Sequence, residues 1–93
     1  MYATPSTYRN ITTQTTTICK GGPGFLDKIT LNNPVATSVI TVFDNTAASG
    51  TTIATITVPA SPQPVSLHYG VRFTTGLTVL TATASSDITV AFA

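Results

Sequence analysis

Few residues in this chain could do acid-base, nucleophilic or metal chemistry: three aspartates (Asp27, Asp44 and Asp87), no glutamate, one histidine (His68) and one cysteine (Cys19). General acid-base work needs titratable groups that meet in one cleft. The aspartates instead fall in three separate segments. Asp44 and Asp87 stand at strand edges beside Asn, Ser and Thr, where a carboxylate caps a turn. A single histidine excludes a multi-histidine metal site, and a zinc site would have to draw Cys19, His68 and an Asp from distant parts of the chain. His68 therefore reads as a half-buried strand histidine. Seven serines are present, but no G-x-S-x-G elbow surrounds any of them.

The glycines Gly21, Gly22 and Gly24 flank Pro23 and resemble a phosphate loop only in composition. Such a cradle is followed by Lys-Ser/Thr and a helix, whereas Phe25 and Leu26 follow here. The segment reads as a tight hinge. Cys19 has no second cysteine to pair with and sits among Thr and Ile, which marks it as a small packed hydrophobe; Lys20 beside it is the sole hint of a reactive thiolate. Asn10-Ile11-Thr12 matches a glycosylation sequon, but Met1 to Asn10 lacks the basic and apolar regions of a secretory leader, so the match reads as chance. Synthesis in a cytoplasm is expected. No acidic cluster suggests calcium. The expectation is a protein that is not an enzyme and needs no cofactor or metal.

Composition narrows the partners. Charged residues make up 8% of the 93 and hydrophobic residues 42%, with a net charge of +1, against roughly 25% charged residues in an ordinary soluble domain. Without a basic field the chain has nothing to draw nucleic acid or an anionic membrane surface. A surface so poor in charge favours self-association, with many copies packed together, and extensive contacts with other proteins. No apolar run approaches the roughly 20 residues of a membrane helix.

The elements follow from the β-branched residues. Threonine occupies 21 positions, and its forked side chain fits a pleated strand better than a helix. Strands are predicted over residues 25–32, 38–44, 52–58, 65–69, 77–82 and 88–92. Within 38–44, Val39 and Phe43 lie on one side and Ile40 and Val42 on the other, as in a central or an interface strand. Residues 45–51 close a hairpin with Asn, Ser and Gly. Pro59, Pro62 and Pro64 break the ladder and mark a crossover, and Gly70 marks a bulge ahead of Val71 and Phe73.

Before these strands, residues 12–19 (TTQTTTIC) are polar and strand-prone without an apolar face, which predicts an arm paired to a neighbouring subunit, with an ordinary edge strand as the alternative. The expected architecture is all-β: an arm over residues 1–20, then one β-sandwich or jelly-roll-like barrel over 21–93, with about six or seven antiparallel strands. The candidate interface residues are Tyr2, Tyr8, Arg9, Ile11 and Ile18 in the arm, and Ile40 and Val42 in the apolar strand.

Four stretches carry a resemblance: GGPGFLDKITLNN (21–33), VITVFDNTAASGTTIATI (39–56), YGVRFTTGLTV (69–79) and DITVAF (87–92). Together they resemble small β-sandwich virion proteins of tailed phages, and among those the capsid decoration, or cement, proteins. The resemblance begins at Gly21 and leaves residues 1–20 unmatched. It implies a structural protein on the outer capsid surface, bound as a trimer or dimer between major capsid subunits. The alternative is a receptor- or glycan-binding head of a tail fibre, with loops 45–51 and 83–87 touching the host.

Overall fold

A computed structural model describes residues 7–93; Tyr2, among the first six, lies outside the described residues. Eight strands form: β1 (Thr7–Ile11), β2 (Thr16–Gly21), β3 (Gly24–Asn33), β4 (Val39–Phe43), β5 (Thr52–Thr57), β6 (Val65–Phe73), β7 (Gly76–Ala82) and β8 (Asp87–Phe92). The described residues contain no helix, which follows from a chain rich in β-branched residues and poor in Glu, Lys and Met. The strands make two four-stranded antiparallel sheets, ordered β1-β8-β3-β6 and β2-β7-β4-β5.

The pairing is nested. β4 pairs with β5, β3 with β6, β2 with β7 and β1 with β8, all antiparallel. A long hairpin whose pairs alternate between two sheets has the connectivity of a jelly roll. The expected strands are present as β3 to β8, and the hairpin of β4 and β5 closes over residues 44–51. The proline segment carries the chain from one sheet to the other, between β5 and β6.

The stretch expected to reach out as an arm contributes two further strands instead. β1 is the edge of one sheet and β2 the edge of the other, so the count is eight rather than six or seven. The polarity of residues 12–17 has a simple origin: an edge strand and the loop joining it to its neighbour need little apolar surface. Thr81 holds that loop down. Its hydroxyl donates to the Thr13 carbonyl at 2.6 Å and accepts from the Thr15 amide at 3.0 Å, while its own amide donates to the Thr15 carbonyl at 2.9 Å.

Alternate residues of each strand fill the space between the sheets. Leu26, Ile29 and Leu31 of β3, Ile88, Val90 and Phe92 of β8, Phe73 of β6 and Ile11 of β1 come from one side. Ile40 and Val42 of β4 and Leu77 and Val79 of β7 meet them from the other. Polar pegs fix the register outside this core. The Asp87 carboxylate accepts from the side-chain amides of Asn10 at 2.7 Å and Asn32 at 3.2 Å, tying β1, β8 and β3 together. Just ahead of β4 and β8, the buried hydroxyls of Ser38 and Ser86 meet at 2.8 Å, and Ser86 also accepts the Val35 amide at 2.8 Å.

Two local expectations have their physical counterparts. Gly22, at φ +97°, makes the sharp turn that lets β2 of one sheet run into β3 of the other. Gly70, at φ +59°, sits where the register of β6 against β3 slips by one residue, between the pairs Leu26 with Val71 and Lys28 with His68. The bulge keeps Val65 to Phe73 a single strand.

Candidate interaction surface

The groups with chemical potential are dispersed. Asp44 follows β4 and spends its carboxylate on the turn between β6 and β7, accepting the amides of Thr75 at 2.8 Å, Thr74 at 3.1 Å and Gly76 at 3.4 Å, and the Thr74 hydroxyl at 3.3 Å. These N–H groups, Thr75 first and Thr74 next, hold the Asp44 carboxyl below its ordinary range. The sequence reading of a turn cap holds, although the turn lies about thirty residues away in the chain. Asp87 serves the asparagine pegs, and Asp27 is half-buried at the bulged part of β3. His68 is exposed rather than half-buried. It lies on the edge strand β6, where no neighbouring strand covers it. Among the described residues, no group of three or more His, Cys, Asp or Glu is arranged to hold a metal ion.

Cys19 packs against the core. Burial pushes its thiol up to about 11, and the positive charge of Arg9 only partly opposes that. A thiol so shifted is neutral and weakly nucleophilic near neutral pH.

The seven interface candidates separate by environment. Ile11, Ile40 and Val42 are buried at 4%, 1% and 0% exposure, so they belong to the core of this chain and offer no surface to a partner. The reason is positional for β4. That strand lies between β7 and β5, so its inward face meets the opposite sheet and its apolar residues on both faces mark a central strand. Tyr8 at 68% and Ile18 at 51% are exposed, and Arg9 is exposed with them.

Ile18 leads to a surface that the sequence did not delimit. Directly paired residues share one side of a sheet. Ile18 is paired with Thr78, which is paired with Phe43; Thr16 is paired with Leu80, which is paired with Thr41 and through it Thr55. Ala82, Val39 and Thr57 form the next row. Since Val79, Ile40 and Val42 alternate with these and fill the core, the three rows make up the outward face of the β2-β7-β4-β5 sheet. No charged side chain stands in them. One end is capped by the β4-β5 loop, whose Asn45 carbonyl accepts the buried Thr78 hydroxyl at 2.7 Å. The remainder presents Ile18, Leu80, Val39 and a set of threonine methyls and hydroxyls.

The outward face of the other sheet contrasts with it. There the exposed hydroxyls of Thr30 and Ser66 meet at 3.0 Å, and the adjoining pairs are Lys28 with His68 and Phe25 with Arg72. The outward face of this sheet thus carries Lys28 and Arg72, where the three rows of the other carry no charge. No helix of the described residues is long and apolar enough to cross a membrane. No family model, curated protein or solved structure matches this chain.

Proposed function

We propose that the chain is a structural virion protein, a decoration or cement protein that binds between major capsid subunits through the uncharged outward face of the β2-β7-β4-β5 sheet. The observation that carries this reading is that face: three rows of paired residues without one charge, on a chain whose few cations lie elsewhere. Removing a charged surface from water costs several kcal/mol per unpaired ion, whereas threonine and aliphatic side chains dock at little desolvation cost. A face of this kind suits a large shared interface, either with the capsid lattice or with further copies of the chain as dimer or trimer. The jelly-roll connectivity agrees by analogy, since that architecture recurs in viral capsid and lectin domains. The commitment of Asp44 to a turn and of Asp87 to the asparagine pegs supports a non-enzymatic reading.

Thr41 stands at the middle of the face, paired on both sides, so Thr41→Glu places a charge at its centre. Native mass spectrometry of the purified chain mixed with phage heads is expected to give stoichiometric uptake, on the outer surface, that Thr41→Glu abolishes while the sandwich stays folded. Uptake unaffected by Thr41→Glu would move the interface elsewhere. Binding to host cells without uptake onto heads would replace this reading with the tail-fibre head.

A further inference from the structure

Two of the four cations of this chain, Lys20 and Arg72, meet at a hollow outside the rows of the proposed capsid contact. Lys20, Pro23, Gly24, Phe25, Arg72 and Ala93 line a shallow depression of about 330 Å³ beside the turn from β2 to β3, a volume at the small end of ligand sites. Two of its six residues carry cationic side chains and none an acidic side chain. Asp27, the one acid on β3, is half-buried and does not line it. Phe25 stands 40% exposed. The floor is fixed, because the amides of Phe25 and Ala93 each donate to the other's carbonyl at 2.8 Å.

From the Phe25 and Arg72 pair the same outward face continues to Lys28 with His68 and then to the hydroxyl pair of Thr30 and Ser66. An aromatic ring, a guanidinium fork and a row of hydroxyls make a particular combination. The ring offers an apolar plate, the fork takes a carboxylate or sulfate in two hydrogen bonds, and the hydroxyls exchange hydrogen bonds with other hydroxyls. An acidic pyranose carries the matching parts: a flat C–H face, one anionic group and ring hydroxyls. An acidic peptide fits less well, because a peptide would add to the free edge of β6, and the bulge at Gly70 interrupts that edge.

We propose that the hollow lined by Lys20, Phe25 and Arg72 is a binding site for an acidic saccharide unit, with the chain of the saccharide running along β3 and β6 toward Thr30 and Ser66. Lys20 reaches the site from β2, beyond the rows of the capsid-binding face, and Phe25 and Arg72 come from the other sheet.

The test is a two-dimensional NMR titration of the full chain with digalacturonate, with neutral digalactose, sodium acetate and a tetraglutamate peptide as parallel probes. Digalacturonate is expected to shift the amides of Phe25, Arg72 and Lys28. Arg72→Gln is expected to weaken it about tenfold, with Arg72→Lys recovering only part, because charge-assisted forked bonds are lost. Phe25→Ala is expected to weaken it about fivefold through loss of ring contact. Each variant keeps its thermal midpoint, and Thr41→Glu leaves the titration unchanged. Acetate saturating at the same concentration as digalacturonate would reduce the site to one for free anions and overturn the proposal. So would tighter binding of tetraglutamate, equal binding of digalactose, or no shift at these residues.

Discussion

Replacing the Thr81 hydroxyl with a methyl group, as in Thr81→Val, tests whether residues 7–21 are built into the sandwich. The side chain is 3% exposed, and valine reproduces its shape. What disappears is a donor bond to the Thr13 carbonyl and an acceptor bond from the Thr15 amide. Each such bond contributes about 0.5–1.5 kcal/mol net. The loop that holds Thr13 and Thr15 is exposed, so water can reach the abandoned groups as it lifts, and the cost stays near the sum of the two bonds. We expect a loss of about 2 kcal/mol. In a domain this size, whose total stability is of order 5–14 kcal/mol, that is a readable fraction. With a urea slope of about 1–3 kcal/mol/M, the midpoint falls by roughly 1 M. Far-UV circular dichroism measures the midpoint, and hydrogen exchange at the Thr15 amide reports the loop directly. Thr81→Ser keeps the hydroxyl and should keep that amide protected. A midpoint unchanged within error, together with unchanged exchange at Thr15, would refute the placement of β1 and β2 at the sheet edges and return residues 7–20 to the role of an arm.

Ile40→Ala should cost about 2–5 kcal/mol as a fully buried truncation, whereas Ile18→Ser on the exposed face should stay within about 0.5 kcal/mol; paired urea titrations of the isolated chain compare them, and a neutral Ile40→Ala would restore that residue to an interface. Asp44 is held below its ordinary range by amides in the folded state, so its stabilising effect is complete above the unfolded carboxyl's value of about 3.9 and is lost as pH falls through the lower folded value. Thermal midpoints of Asp44→Asn and the parent between pH 2 and 6 should therefore converge toward the acid end, and a constant gap contradicts the assignment. For Cys19, raised to about 11 by burial, the neutral thiol is the favoured native form, so its contribution is full below the unfolded value of about 8.5 and declines as pH rises through 11. Alkylation by iodoacetamide in the native state should accelerate about tenfold per pH unit from 7 to 10; a plateau near pH 8.5 would mean an exposed, unshifted thiol.

The turn chemistry was legible because it is local. Asn45 and Ser49 close the β4-β5 loop by a side-chain amide to carbonyl bond of 2.9 Å, and Gly22 and Gly70 sit at backbone angles that favour glycine. The role of Asp44 as a cap was legible too, but its turn was not, since Thr74 to Gly76 approach it only through the β4-β7 pairing. The candidate surface was legible in one residue, Ile18. Its extent depends on Leu80, Thr41 and Val39 arriving beside it from two other strands, and no spacing within a single segment encodes such a row.

By itself the sequence determined an all-β chain, its six main strands, the crossover at the prolines and the scarcity of chemical groups, because propensity and alternation are properties of neighbours along the chain. Tertiary structure alone decided the rest. Whether a polar, threonine-rich strand is an arm or an edge depends on what pairs with it, and β8 and β7 took β1 and β2. Whether an apolar strand is core or interface depends on what covers its two faces, and β4 lies between β7 and β5. Charge followed the same rule: Lys28 and Arg72, far apart in sequence, meet on the outward face of one sheet, while the three paired rows on the outward face of the other carry no charge.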